Sequence, residues 1–355
     1  MKGSALHEIF ISSRTRDDAM VSAGDVFSVH ASKQASMTNA SAVVRPRLDP
    51  RKFRNPHVTA KGERRAAVAL KALETLWFNT GTLCNLTCRN CYIESSPTND
   101  RLVYLSAAEV REYLDEIARD GLPTREIGFT GGEPFMNREL PEMMDDCLGR
   151  GFRVLVLTNA MKPMMKVRDA LLALRARYTD RLVIRVSLDH YARDLHELER
   201  GPRSWAPALD GLLWLARNGF NIHVAGRTFS GQAEADIRKG FARLFVEQGI
   251  PVDAFDPVRL VLFPEMDPSV DVPEITEACW SILGKSPDAM MCASSRMVVK
   301  RRGAARPSVL ACTLLPYDPQ FELGHTLAEA SGTVPLNHPH CAKFCVLGGG
   351  SCSRS

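Results

Sequence analysis

The sequence predicts an α/β fold, namely a partial (β/α)6 TIM-type barrel followed by a small C-terminal cysteine-rich α+β module. Between about residues 72 and 265, short apolar, β-rich runs alternate with amphipathic helical stretches, a pattern that favours a parallel sheet. This region of about 195 residues holds about six βα units of about 30 residues each. A complete eight-unit barrel needs about 250 residues. Beyond residue 265 the alternation stops and cysteines become frequent.

The six predicted strands are the short apolar runs Leu76–Phe78, Ile127–Phe129, Val154–Leu157, Leu182–Val186, Ile222–Ala225 and Val258–Phe263. The first helix is the best defined, because Ser106 and Glu109 form a capping box and Gly121 ends it. Further helical patterns cover residues 140–148, 165–177, 205–218 and 233–247. In such barrels the residues that carry chemistry lie at the C-terminal ends of the strands.

The composition excludes several classes of protein. Of the 355 residues, 45% are apolar and 24% are charged, which excludes a disordered or fibrous chain. No apolar run reaches the ~18–20 residues that span a bilayer, and Glu8 interrupts the one apolar stretch of the first residues. We therefore expect a cytoplasmic protein whose ten cysteines are reduced, and clustered reduced thiols point to metal.

We expect three regions along the chain. Residues 1–70 hold twelve basic and six acidic residues and no sustained apolar period, which predicts a partly disordered N-terminal extension. Met37 is an alternative start, which would leave residues 1–36 outside the natural chain. Residues 71–270 form the partial barrel, and residues 271–355 form the cysteine-rich module.

Three cysteines follow the first predicted strand. Cys84, Cys88 and Cys91 have the spacing C-x3-C-x2-C. A four-iron cluster that is bound by only three cysteines has one iron with an open site. A closed zinc site would need a fourth ligand, which this loop does not supply at ligand spacing. The second predicted strand ends in the Gly-Gly-Glu-Pro segment 131–134, where glycine backbone allows the close approach of a ligand.

The cysteine loop and the aromatic Tyr92 that follows it resemble the signature of the radical S-adenosylmethionine (radical SAM) superfamily. The resemblance implies an enzyme with a 4Fe-4S cluster on Cys84, Cys88 and Cys91. The open iron would bind the amino and carboxylate groups of S-adenosylmethionine (SAM). The reduced cluster would then cleave SAM to a 5′-deoxyadenosyl radical, which abstracts hydrogen from a substrate. The family fold is the same six-unit partial barrel.

The resemblance also implies that residues at the strand ends bind the cofactor. The turn at residues 131–134 would bind the amino group of SAM, and Arg227 would pair with its carboxylate. Groups after the fourth strand would lie near the ribose. The candidate cofactor-binding residues are Tyr92, Gly131, Gly132, Glu133, Pro134, Asn159, Ser187, Asp189 and Arg227. The later strand-end residues are equally explicable as caps or loop residues. We expect His190 and His196, which flank a predicted loop, to be satisfied polar residues.

The C-terminal cysteines form a second group. The runs Met297–Val299 and Ser308–Leu310 predict a β-hairpin that brings its two ends, and with them Cys292 and Cys312, together. With a short helix around residues 326–330 and a late cysteine pair, this pattern resembles the twitch or shortened SPASM modules of radical SAM enzymes. Such modules carry an auxiliary 4Fe-4S cluster. The implied ligands are Cys292, Cys312, Cys341 and Cys345, with Cys352 as an alternative to Cys341.

The C-terminal cysteines could bind either of two metal centres, and Cys147 and Cys279 stand apart from them. Structural zinc bound by the same residues is the main competitor of the auxiliary cluster. Cys147 and Cys279 lie alone on predicted helices, which suggests that they pack in the core.

The sequence thus predicts a radical SAM enzyme that oxidises or rearranges a peptide, a protein side chain or a small metabolite. The substrate would bind between the barrel mouth and the C-terminal module, and a flavodoxin or ferredoxin would supply the electron. The alternatives are an RNA- or nucleotide-modifying radical SAM enzyme and a non-catalytic iron–sulfur or zinc protein. Because residues 71–355 are slightly acidic, we expect no large nucleic-acid-binding surface, although a local patch at the hairpin tip, with Arg301 and Arg302, stays open. The lack of a membrane-spanning apolar run leads us to expect no membrane partner.

Overall fold

A computed structural model describes residues 46–265 and 267–350. The chain divides into two units, Met1–Arg45 and Pro46–Ser355. Most of the predicted extension over residues 1–70 lies outside the described residues, and so does Cys352.

The strands follow the predicted apolar runs closely. In chain order they are β1 (Ala67–Val68), β2 (Thr75–Asn79), β3 (Glu126–Thr130), β4 (Arg153–Thr158), β5 (Leu182–Ser187), β6 (Asn221–Arg227), β7 (Leu260–Phe263), β8 (Ser295–Val299), β9 (Ser308–Leu310), β10 (Glu322–Gly324) and β11 (Val334–Pro335). Strand β7 begins two residues later than predicted. The side chain of Asp256 accepts a hydrogen bond from the backbone N–H of Val258 (2.8 Å) and holds that residue in a turn.

The helices alternate with the strands β2 to β7, as the sequence predicts. They are α1 (Ala107–Asp120), α2 (Leu140–Gly149), α3 (Lys162–Met165), α4 (Arg168–Tyr178), α5 (Arg193–Arg200), α6 (Trp205–Arg217), α7 (Glu234–Gln248) and α8 (Cys279–Leu283). The capping box of α1 is present, since Ser106 Oγ accepts from the N–H of Glu109 (3.2 Å). Helix α5 replaces the predicted loop after His190, and a 3₁₀ turn at Glu329–Ser331 replaces the short C-terminal helix.

Nine strands form one open sheet in the order β10-β9-β8-β2-β3-β4-β5-β6-β7. Strands β2 to β7 are parallel to their neighbours, which confirms the predicted barrel strands. The sequence did not predict where the C-terminal hairpin lies. Strand β8 pairs in parallel with β2, with Thr75 opposite Ser295, and β9 pairs antiparallel with β8. The module therefore extends the sheet of the barrel.

The sheet is buried on both faces. On one face Leu76 and Phe78 of β2 pack in a core that includes residues of the barrel helices. On the other face Trp77 packs with Leu155, Val183 and apolar residues of the C-terminal module. Burial on both faces explains why the barrel strands are continuous apolar runs rather than alternating ones.

Residues 46–70 pack with the C-terminal module. Strand β1 pairs antiparallel with β11, and Arg47 bridges to Val270. The side chain of Arg65 is buried and forms an ion pair with Glu274, and it also donates to the carbonyl of Asn55 (2.9 Å). These contacts connect the segment before the barrel to the segment after it.

No helix among the described residues is long and apolar enough to cross a bilayer.

Loss of the Arg65 ion pair should destabilise the protein strongly. Arg65→Ala leaves a buried Glu274 carboxylate without its cation, which typically costs about 3–5 kcal/mol. The matched control is Arg64→Ala, because Arg64 pairs with Glu277 at the exposed surface and such pairs contribute about 0–1 kcal/mol. Denaturant unfolding of both variants measures the difference. Equal midpoints would show that the Arg65–Glu274 ion pair contributes no more stability than the exposed pair.

Candidate active site

The C-terminal ends of the barrel strands surround a cavity with about 1090 Å³ of empty space, part of it open to solvent. The predicted site residues that line the cavity are Cys84, Cys88, Cys91, Tyr92, Gly131, Gly132, Asn159, Ser187, Asp189 and Arg227. Residues from five different strand ends therefore meet at one place.

The three thiols of the 84–91 loop lie in this cavity among hydrogen-bond donors. Cys84 Sγ accepts from the N–H of Leu86 (3.4 Å), and Cys91 Sγ accepts from the N–H of Ser95 (3.4 Å). Burial raises the pKa of the Cys84 thiol to about 12 and also raises the pKa of Cys88. Metal binding to Cys84 and Cys88 would therefore release protons.

The Gly131–Gly132 turn after β3 packs directly on the backbone of the cysteine loop. The N–H of Gly132 donates to the carbonyl of Gly81 (2.8 Å), and the N–H of Glu133 donates to that of Leu83 (3.1 Å). A Cβ atom on Gly132 would lie 2.2 Å from the Leu83 oxygen, and Gly131 has a φ of +141°. The two glycines are needed for this contact between two loops as well as for access to the cavity.

Glu133 connects the turn to the end of β4. This residue is buried, and its carboxylate accepts from Thr158 Oγ1 (2.8 Å) and from the N–H of Asn159 (2.8 Å). Burial raises the pKa of Glu133 to about 7, against the lowering effect of these hydrogen bonds. Pro134, also buried, begins a 3₁₀ turn. Both residues support the turn from within the protein.

Two buried ion pairs cross the site, and the sequence predicted only one member of each. Asp189 pairs with Arg200 through two hydrogen bonds (3.0 and 3.1 Å). Arg227 pairs with Glu199 (3.5 Å). The partners Glu199 and Arg200 end helix α5, which the sequence analysis interpreted as a loop. Their segment, which also contains His196, is amphipathic, and this pattern was the sequence signal that could have predicted the helix.

Helix α5 also holds the cysteine loop. The carboxylate of Glu199 accepts from Asn90 Nδ2 (2.8 Å), and the carbonyl of Glu199 accepts from the N–H of Arg89 (2.7 Å). Arg227 donates to the carbonyl of Asn90 (3.2 Å). Together, Arg200 and Arg227 place positive charge near Cys88, where both lower the thiol pKa against the effect of burial.

The two histidines of this region differ in their partners. His190 Nε2 contacts Gln232 Oε1 (2.9 Å), and its Nδ1 accepts from the N–H of Ala192 (3.0 Å). His196 is buried against Trp205, and burial lowers its pKa to about 4. Neither ring nitrogen of His196 has a hydrogen-bond partner among the described residues.

A second cavity lies in the C-terminal module. Cys292, Cys312, Cys341 and Cys345 line it together with His340 and mostly apolar residues. Cys292 precedes β8 and Cys312 follows β9, so the antiparallel hairpin brings them to the same end. Cys341 and Cys345 lie in the π-helical segment Cys341–Leu347. Of the other cysteines, Cys147 is buried in α2 and Cys279 begins α8.

The two cavities share a wall. Leu314 lines both of them. Phe344 lines the first cavity and lies in sequence between two cysteines of the second. The cysteines of the module are therefore separated from the barrel cavity by apolar side chains.

Comparison with known proteins identifies the barrel. Residues 78–239 match the model of the radical SAM superfamily. This part of the chain belongs to that superfamily. Radical SAM proteins use a 4Fe-4S cluster and SAM, and SPASM-type members carry auxiliary clusters. The predicted family and its enzyme class, with the 4Fe-4S cluster and SAM as cofactors, are thereby confirmed for the barrel.

Curated radical SAM relatives are similar to the chain over parts of their length. The chain is 31% identical over 147 residues to the antilisterial bacteriocin subtilosin biosynthesis protein AlbA of Bacillus subtilis, which covers 41% of the chain and 31% of that protein. It is 34% identical over 187 residues to the GTP 3′,8-cyclase of Rhodococcus opacus, which covers 48% and 50%. The chain thus spans half or less of these relatives.

Solved structures share the fold. The structure of Streptococcus suis SuiB bound to precursor peptide SuiA has a TM-score of 0.53 at 12% identity and covers 72% of this chain and 63% of that one. Native anSMEcpe with bound AdoMet has a TM-score of 0.51 at 14% identity and covers 76% and 82%. Similarity at this level of identity establishes the partial-barrel architecture.

Substitution of Gly132 should prevent cluster assembly in the barrel. In Gly132→Ala the new Cβ collides with the Leu83 carbonyl and displaces the loop that carries Cys84. Gly332→Ala is the control, because its Cβ would meet nothing within 4 Å and its φ of −65° suits alanine. Iron content after anaerobic reconstitution should fall by about half in G132A and stay at the wild-type value in G332A. Full iron content in G132A would contradict the role of the loop contact.

The raised pKa of Glu133 predicts a pH-dependent stability. An acid whose pKa rises from 4.5 in the unfolded chain to about 7 in the fold contributes less stability as the pH rises between these values. The loss is about 3 kcal/mol. In Glu133→Gln this contribution is absent. The difference in unfolding free energy between wild type and E133Q should therefore fall from pH 4.5 to 7 and be constant above pH 8. A difference that does not change with pH would show that Glu133 stays ionised.

Proposed function

We propose that this chain is a radical SAM enzyme that oxidises a peptide or protein side chain, with an auxiliary cluster that accepts an electron. The shared wall between the barrel cavity and the four-cysteine cavity carries this proposal. A substrate in the barrel mouth would lie next to the second set of cysteines.

The barrel cavity fits the cofactors of the family. Cys84, Cys88 and Cys91 present three thiols, and N–H groups that donate to the sulfur atoms stabilise thiolate ligands and tune cluster potentials. The cluster and SAM, when bound, supply a 5′-deoxyadenosyl radical that abstracts hydrogen. The nearby guanidinium groups of Arg200 and Arg227 would offset the negative charge of the cluster and its ligands.

The strand ends are suited to hold SAM beside the cluster. Arg227 uses one nitrogen for Asn90 and Glu199, and a guanidinium has five N–H donors, so donors are left for the methionyl carboxylate. The Gly131–Gly132 turn would face the amino group. Asn159, Ser187 and Asp189 line the same cavity at the ends of β4 and β5, where we place the ribose. Tyr92, which follows the cysteine loop, lines the same cavity.

The four thiols of the second cavity suit an auxiliary 4Fe-4S cluster, because four cysteines are the ligand set of such a cluster. The same four thiols also suit structural zinc, and the iron and zinc contents described below separate the two. The proposed ligands are Cys292, Cys312, Cys341 and Cys345.

A peptide substrate is supported by the lining of the cavity and by the relatives. Phe263, Leu314 and Phe344 supply apolar surface opposite the polar cofactor side. Two of the similar proteins act in bacteriocin biosynthesis or are seen with a precursor peptide. We place the peptide between the strand ends and these side chains. A flavodoxin or ferredoxin would donate the electron.

Nucleotide modification is the second candidate, because one relative is a GTP 3′,8-cyclase. A large RNA-binding surface is not favoured at the tip of the C-terminal hairpin. Arg301 pairs there with Glu322 and Arg302 pairs with Asp100, so carboxylates neutralise both arginines. A small nucleotide in the barrel cavity would be the form of this alternative.

Cysteine substitutions separate the two proposed clusters. Reconstituted wild-type chain should contain about eight irons, and with dithionite it should convert SAM to 5′-deoxyadenosine. Cys88→Ala should abolish 5′-deoxyadenosine formation and leave about four irons. Cys312→Ala should also leave about four irons but still cleave SAM, without forming the oxidised peptide. Cys279→Ala, in a cysteine outside both cavities, should behave as wild type.

Other outcomes would change the conclusion. Wild-type chain with about four irons and one zinc would replace the auxiliary cluster by a structural metal site. Cleavage of SAM that a nucleoside triphosphate stimulates and peptides do not would favour the nucleotide alternative. If no 5′-deoxyadenosine forms with any electron donor, the chain is not a radical SAM catalyst.

A further inference from the structure

Arg296 on β8 is buried and contacts the backbone of Cys292, a residue of the second cavity. It is 1% exposed, and its guanidinium donates to the carbonyls of Ala330 (2.7 Å), Cys292 (2.6 Å), Ser295 (2.8 Å) and Gly332 (3.1 Å). These bonds use four of the five N–H donors of the guanidinium, and backbone carbonyls do not neutralise its charge. An arginine keeps its proton in proteins, so a full positive charge lies in the interior.

Protein carboxylates do not neutralise this charge. Arg296 forms no ion pair with an Asp or Glu among the described residues, whereas the buried Arg65, Arg200 and Arg227 each pair with one. A buried charge without a counter-charge costs several kcal/mol. Burial accordingly lowers the pKa of Arg296, and the acidic groups that oppose this effect are Cys292 and Cys312.

The position of Arg296 connects it to the cysteine cavity. Its hydrogen bond to the carbonyl of Cys292 ties it to one cavity residue. Its bonds to Ala330 and Gly332 tie it to the segment that leads into Val334, which also lines the cavity. The thiolates of a bound cluster would therefore supply the missing negative charge.

We propose that Arg296 is the counter-charge of the auxiliary cluster and raises its reduction potential. This inference rests on the proposed ligand set of Cys292, Cys312, Cys341 and Cys345. Reduction adds an electron to a cluster that is already anionic through its thiolates, and a nearby buried cation stabilises the reduced form more than the oxidised form. Net charge and hydrogen bonding are among the factors that set cluster potentials. Arg296 would thus make the cluster a better electron acceptor, as a positioning and charge-compensating residue.

The test is a redox titration of the reconstituted full-length chain, followed by electron paramagnetic resonance. In Arg296→Gln the auxiliary cluster should become at least about tenfold harder to reduce, a shift of about 59 mV for one electron. Arg296→Lys retains the charge and should stay closer to wild type. Arg302→Gln, which removes an exposed arginine from the tip of the same hairpin, should leave the potential unchanged. The signal of the Cys84, Cys88 and Cys91 cluster serves as the internal reference for folding.

The outcomes distinguish this inference from the proposed function. An unchanged auxiliary potential in R296Q with about eight irons overturns the role of Arg296 and leaves the two-cluster enzyme intact. Equal shifts in R296Q and R296K would make Arg296 a backbone brace, not a counter-charge. If R296Q does not fold, Arg296→Met takes its place because it suits the apolar surroundings, and failure of both neutral variants also overturns the proposal. About four irons in wild type would overturn both conclusions.

Discussion

The pairing of β2 on both of its edges is the constraint on which the rest of the structure depends. Every residue of Thr75–Asn79 is buried, and this strand pairs in parallel with β3 on one side and β8 on the other. The cysteine loop leaves its C-terminal end beside the glycine turn of β3. The C-terminal module begins its hairpin against the other edge. Both proposed cluster sites are therefore positioned from a single five-residue strand.

The register of this strand explains why the two cavities lie at different levels of the sheet. Asn79 is opposite Thr130, so the cysteine loop and the glycine turn leave the sheet together. Thr75 is opposite Ser295, so Cys292 lies near the N-terminal end of β2. The module covers the sheet face that includes Trp77. Leu314 then reaches both cavities, and a substrate at the strand ends is separated from the second set of cysteines by apolar side chains.

The buried arginines of the two sites differ in the groups that they contact. In the barrel, the arginines that face the cysteines have protein carboxylate partners, Asp189 and Glu199, which keep them in place without a cofactor. Among the described residues of the module, Arg296 contacts backbone carbonyls and no carboxylate. Paired arginines give the barrel cavity a preorganised distribution of charge. If the proposed cluster binds near Arg296, it would couple the stability of the module to cluster binding.

The sequence by itself determined the features whose chemistry lies in contiguous residues. The C-x3-C-x2-C loop, the Gly-Gly-Glu-Pro turn, the capping box of α1 and the six buried runs depend on local spacing, and the structure places them as local rules require. Only the tertiary structure shows the contacts between residues that lie far apart in the sequence. Glu199 and Arg200 became site residues because α5 folds back on the cysteine loop, and Arg65 and Arg296 acquired their roles from segments more than thirty residues away. Such contacts depend on strand register and packing, which a periodic pattern does not encode. A buried charge interacts with whichever groups the fold brings next to it, and those groups can lie far away in the sequence. Sequence patterns report only neighbours along the chain.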